Sequence, residues 1–159
     1  MIDHAMAAAA AKHLLEAAGT AGGKPVLIVG DEADRSSTIA AMADDMSATP
    51  ANLGVELSQV LIDAGGARMD LSAVIAGMRH DDAFLLLDRI QILMLPQLKV
   101  NALDTLVRVA RRRPICASWP GRLHQGRLRY ADPNHPEWLD QDASPALILD
   151  LVLHEGQHR

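Results

Sequence analysis

Two short stretches carry residue types that could do phosphate chemistry. The first is Gly30-Asp31-Glu32-Ala33-Asp34-Arg35-Ser36-Ser37, directly after the apolar run Val26-Leu27-Ile28-Val29. It has the length of the phosphate-binding pattern G-x-x-x-x-G-K-[ST], whose backbone N–H groups and lysine hold phosphates and whose hydroxyl holds magnesium. Gly30 matches the first glycine and Ser37 the hydroxyl, with Thr38 next to it. Arg35 stands where the second glycine belongs and Ser36 where the lysine belongs. The second stretch is Phe84-Leu85-Leu86-Leu87-Asp88, four apolar residues and an acid. An aspartate in that setting holds magnesium beside a bound nucleotide. The next position, often a glutamate that activates water, is Arg89, which is no base.

The loop chemistry is impaired in three ways. The motif lysine is missing, a side chain occupies a tight-turn position, and Asp31, Glu32 and Asp34 crowd a polyanion's place. A like-charge contact at ~4 Å costs on the order of 1 kcal/mol in water and ~4 kcal/mol near a protein surface. One helix N-terminus, worth roughly 0.3–1 kcal/mol, does not offset three of them. Arg35 and Lys24 are nearby cations outside the motif position. The expectation is weak or no ATP hydrolysis by the chain alone, with ATP and magnesium the only cofactors suggested, on Gly30, Arg35, Ser36, Ser37, Thr38 and Asp88. An ordinary strand-to-helix turn explains the first stretch equally well. Asp31-Glu32-Ala33-Asp34-Arg35 also resembles motif II of DEAD-box helicases, but that motif works with an upstream phosphate loop, and residues 1–30 hold none.

Other constellations are weaker. His154-Glu155-Gly156-Gln157-His158 spells the H-E-x-x-H zinc motif, yet Gly156 weakens the helix it needs. Arg111-Arg112-Arg113 closes a predicted helix, where cations complement the dipole. Arg122, Arg127 and Arg129 follow on a predicted hairpin with His124 and Tyr130. If the two arginine groups meet, they form a docking face for a partner, or for nucleic acid brought by one; solvated arginines and a helix cap are the plainer reading. Asp132-Pro133-Asn134-His135-Pro136 reads as a rigid turn, with Trp138 just after it expected to anchor it to the body. Cys116 falls inside an apolar run and reads as an inert core thiol.

Elements must position these residues. Helices are predicted over residues 4–18, 36–46, 54–64 and 70–78, and from Asn101 to the arginines. Strands are predicted over 25–29, 49–53, 83–88, 114–119 and 146–151, from short apolar runs bounded by turn residues. The alternation implies crossover connections and a three-layer α/β/α domain with a mostly parallel sheet of about five strands. Ligands then bind beyond the C-terminal strand ends, which carry Gly30–Ser37, Asp88 and Ser118-Trp119. Residues 1–23 read as an alanine-rich helix and glycine joint, 24–152 as the domain, and 153–159 as a flexible tail.

Composition narrows the function. The 159 residues are 49% apolar and 22% charged, as in globular domains. Aromatics make up 3%, so base stacking on several rings is excluded. A net charge of −5 argues against autonomous binding to nucleic acid or anionic membranes. One cysteine excludes an internal disulfide. The apolar run Ala7–Ala11 is short and flanked by Asp3 and Lys12, so no leader and no membrane span is expected and the cytoplasm is the default.

Four stretches carry a family resemblance: Asn52-Leu53-Gly54-Val55-Glu56-Leu57-Ser58, Leu85 to Leu93, Ala117-Ser118-Trp119-Pro120-Gly121, and Leu128-Arg129-Tyr130-Ala131-Asp132-Pro133-Asn134-His135-Pro136-Glu137. They resemble BrxF, the P-loop-containing protein of bacterial BREX phage-exclusion systems, over most of residues 25–151. The resemblance implies a P-loop NTPase-like fold with its phosphate loop on Gly30–Ser37 and its magnesium aspartate at Asp88. It implies a cytoplasmic defence component beside larger ATPase, methyltransferase and phosphatase-like subunits. The leading expectation is a BREX subunit with a degenerate nucleotide loop, acting through protein contacts. The rivals are an ATP-binding subunit completed by homo-oligomerisation and a nucleic-acid-associated adaptor.

Overall fold

The computed structural model describes residues 1–20 and 23–156, without the side chains of 19–20 and 154–156. Helix α1 (His4–Thr20) leads to strand β1 (Val26–Val29), helix α2 (Glu32–Met46), strand β2 (Ala51–Asn52) and helices α3 (Leu53–Ala64) and α4 (Leu71–Ala76). Strand β3 (Leu85–Asp88) and two 3₁₀ turns (Ile90–Met94, Pro96–Leu98) precede helix α5 (Ala102–Ala110) and strand β4 (Ile115–Ser118). Strands β5 (Arg122–His124), β6 (Arg127–Tyr130), β7 (Leu139–Asp142) and β8 (Leu147–Asp150) follow, then helix α6 (Leu151–Gly156).

The predicted α/β layering is present. Five strands form a wholly parallel sheet in the order β2-β3-β4-β1-β8. Its central strands are apolar on both sides because helices cover both faces. Val26, Ile28, Leu86 and Cys116 pack under α1 and α2. Leu27, Val29, Leu85, Leu87, Ile115 and Ala117 point the other way, toward α3, α4 and α5. Alanine at positions 7, 8, 11 and 18 leaves α1 thin enough to lie close against its layer, with Leu15 fully buried. Lys12–Asp45 and His4–Asp34 tie α1 to α2 at its surface. Among the described residues, no helix is long and apolar enough to cross a membrane.

Several boundaries depart from expectation. Helix α2 begins at Glu32 rather than Ser36, so no eight-residue loop follows β1. Strand β2 is two residues long. Helix α5 ends before the three arginines. The predicted hairpin β5–β6 gains a third antiparallel strand, β7, in register Arg127↔Asp142 and Arg129↔Asp140. Cross-strand charge pairing, rather than apolar periodicity, makes that strand. Helix α6 continues to Gly156, and the side chains of the His154–His158 motif lie outside the described residues. Among the described residues, no cluster of three or more metal-ligating side chains occurs.

Candidate functional site

The C-terminal ends of β1, β4 and β3 lie side by side, carrying Gly30, Ser118 and Asp88. The chain leaves β1 for α2 on one face of the sheet, whereas the segment that leaves β4 packs Trp119, Leu128 and Leu139 on the opposite face. Such a divergence opens a crevice between neighbouring strands where α/β proteins bind ligands.

Arg35 fills this crevice. It is 5% exposed. Its Nε–H donates to the Gly30 carbonyl at 2.8 Å, and one terminal nitrogen donates to Ser118 Oγ at 2.7 Å. Burial lowers the guanidinium's pKa, while Asp88 and Asp31 act to raise it; arginine remains charged regardless. The backbone around it is committed as well. Gly30 takes φ +148°, a conformation that favours glycine, and a Cβ there would lie 2.9 Å from Leu151 Cβ. Arg35 N–H already donates to the Asp31 carbonyl at 2.9 Å in the first turn of α2.

The other loop residues do not converge on the crevice. Thr38 Oγ1 donates to the Asp34 carbonyl of its own helix at 2.8 Å. Ser37 is exposed, and Ser36 Oγ is buried with no hydrogen-bond partner among the described residues. Asp88 accepts the Arg89 N–H at 2.9 Å, closing a strand-end turn in which Arg89 is left-handed at φ +56°. Arg89 pairs with Glu32, and its carbonyl accepts the Gly54 N–H at 3.0 Å. Asn52 lies in register with Asp88 and caps α3 through Val55 N–H at 3.2 Å. The Asn52-Leu53-Gly54 and Asp88-Arg89 stretches are therefore neighbours in space. Sequence reasoning places Ser118 at a strand end but misses the Arg35–Ser118 and Arg89–Glu32 pairs, which link residues 83 and 57 positions apart and leave no local signal.

The arginine groups are mostly spent within the fold. Arg113 donates to the carbonyls of Ala76, Met78, Arg79 and Asp82, clamping the turn after α4. Arg112 faces Asp70 at 3.7 Å, and Arg111 is exposed. Arg127 and Arg129 both reach Asp140, at 2.7 and 3.7 Å, and Arg127's hydrogen bond holds that carboxyl below its usual range. Arg122 donates to the Ala131 carbonyl at 3.2 Å. Among the described residues, no hydrogen bond or ion pair joins the two groups. His135 Nδ1 accepts the Glu137 N–H at 3.0 Å, a contact internal to its turn.

Cys116 is fully buried with its sulfur 3.8 Å from Met42 Sδ, and burial pushes the thiol far above its ordinary pKa. The folded protein is expected to resist an aromatic disulfide reagent at pH 8, with one thiol released only in denaturant. Full labelling within seconds in native buffer would contradict that placement. No family model matches the chain, and no curated protein or solved structure matches it.

Proposed function

We propose that this chain is a small P-loop-NTPase-like subunit of a BREX-type antiphage assembly in the cytoplasm, acting through protein contacts with little or no ATP hydrolysis of its own. The buried Arg35 guanidinium, hydrogen-bonded across the β1–β4 crevice, carries the reading. A triphosphate needs free backbone N–H groups and an uncluttered turn. Here the turn is a helix from Glu32 onward, and its first turn bears two carboxylates. An internal first strand and an acid closing β3 support the scaffold part of the reading.

Calorimetry with ATP and magnesium tests it: no binding in the micromolar range is expected. The rival, an ATP-binding subunit completed by a neighbouring copy, predicts micromolar binding that Asp88→Ala abolishes. Co-expression with BREX methyltransferase and phosphatase-like subunits supplies the second arm, where co-purification is expected and its absence rejects the assembly.

A further inference from the structure

At the N-terminal edge of the parallel sheet, Gly23-Lys24 lead into β1, and Arg111-Arg112-Arg113-Pro114 lead from α5 into β4. The two strands are neighbours, so these segments meet, and with Ala18 of α1 they line a pocket of about 320 Å³. It lies at the far end of β1 from the Arg35 crevice, roughly 13 Å along a four-residue strand. The meeting is built into the backbone. Gly23 takes φ +79°, and its N–H donates to the Ala18 carbonyl at 3.1 Å. A Cβ there would lie 2.8 Å from the Ala110 carbonyl oxygen and 3.3 Å from Arg111 Cα. Glycine is what lets the lead-in of β1 touch the end of α5 and set Lys24 beside the arginines.

The lining holds four cations and no carboxylate, on a chain whose net charge is −5. Their donors are not equally free. Arg113 spends both terminal nitrogens on its carbonyl clamp and contributes charge alone. Arg112 has one terminal nitrogen 3.7 Å from Asp70, outside the lining. Lys24 Nζ donates to the Ser144 carbonyl at 3.2 Å, and an ammonium has two further N–H bonds to give. Arg111 is exposed, with no ion-pair partner among the described residues. The carbonyl end of α5 counts as about half a negative charge, which four cations outweigh.

We propose that this pocket binds the phosphate group of a small soluble phosphomonoester, with Lys24, Arg111 and Arg112 as its donors. A lining of one sign selects an anion, and guanidinium and ammonium together suit a phosphate. The volume is at the small end of ligand pockets, so the rest of the molecule is compact. No aromatic residue lines the pocket for stacking a base. A duplex needs cations along a stripe, whereas Arg122, Arg127 and Arg129 are committed to Ala131 and Asp140. The site goes beyond the subunit reading and holds whether or not the chain joins a larger assembly.

The probe is glycerol phosphate, titrated into the full chain by calorimetry at low ionic strength. Saturable one-site binding with a Kd of about 1 mM or tighter is expected, with inorganic phosphate competing for it. The double variant Lys24→Gln, Arg111→Gln is expected to weaken binding on the order of tenfold. A control that removes the same charge elsewhere (Arg108→Gln, Arg122→Gln) keeps the native affinity, and circular dichroism confirms that both variants fold. Arg111→Gln alone, at an exposed position, gives the same test with a loss of about threefold if the double variant does not fold. No saturable binding by the native protein, or an affinity unchanged in both pocket variants, overturns the proposal. Duplex DNA or anionic vesicles that bind through Lys24 and Arg111 more tightly than glycerol phosphate overturn it too, in favour of a polyanionic surface. None of these results bears on co-purification with BREX subunits, so the subunit reading stands or falls separately.

Discussion

Gly121→Ala is expected to destabilise the protein by at least about 3 kcal/mol, because the new methyl has nowhere to go. A Cβ at Gly121 would fall 1.7 Å from the Arg129 carbonyl oxygen and 2.9 Å from Trp119 Nε1. Both neighbours are fixed. Arg122, the next residue, pairs with Arg129 in the β5–β6 ladder. Trp119 is fully buried, and its indole N–H donates to that same carbonyl at 3.3 Å. The methyl must therefore push β6 away, break the indole hydrogen bond and loosen the largest side chain of the core. For a chain of this size the loss corresponds to a fall in Tm of roughly 6–12 °C. Gly126→Ala is the control: it has open space around it and meets only the strain of φ +76°, about 1 kcal/mol. Thermal denaturation followed by tryptophan fluorescence measures both, and a Gly121→Ala midpoint no lower than that of Gly126→Ala contradicts the packing described.

The central sheet is legible in the sequence because its signal is local. Val26–Val29, Leu85–Leu87 and Ile115–Ala117 are short apolar runs, and such runs make strands when helices cover both faces. The charges at the start of α2 mislead. Asp31, Glu32 and Asp34 look like repulsion around a phosphate, yet acids are also what a helix N-terminus favours. The same residues thus signal a helix four positions earlier than apolar spacing alone suggests. Strand β7 is invisible for the opposite reason. Leu139-Asp140-Gln141-Asp142 has one apolar residue, and its partners Arg127 and Arg129 lie across the sheet. The Arg113 clamp is equally hidden, since its four carbonyls lie 31 to 37 positions away. In sequence Arg113 looks like one of three equivalent cations; in the fold it is structural, Arg112 faces Asp70 at 3.7 Å, and Arg111 is exposed.

Arg35→Met is expected to destabilise the protein by about 3 kcal/mol without opening a nucleotide site. Methionine keeps an apolar stem in a position that is 5% exposed, so packing is largely preserved. What disappears is charge and donors. The Gly30 carbonyl and Ser118 Oγ lose their partner, and Ser118 is 1% exposed, beyond the reach of bulk water. Asp88 and Asp31 lose the nearest buried cation. Arg35→Lys is expected to fall between, because one ammonium keeps the charge but not the fork that spans the two acceptors. Restoring motif letters should not restore chemistry either. The double change Arg35→Gly, Ser36→Lys supplies the glycine and the lysine, but Glu32 and Asp34 remain in the first turn of α2, whose backbone is already helical. Urea unfolding of the three variants, with calorimetry against ATP and magnesium, separates a structural role for the arginine from a nucleotide-binding one. Loss of stability without nucleotide binding marks Arg35 as the bolt of the crevice. Micromolar ATP binding by the double variant would instead mean that the backbone still follows a phosphate-binding course and that a side chain alone had closed it.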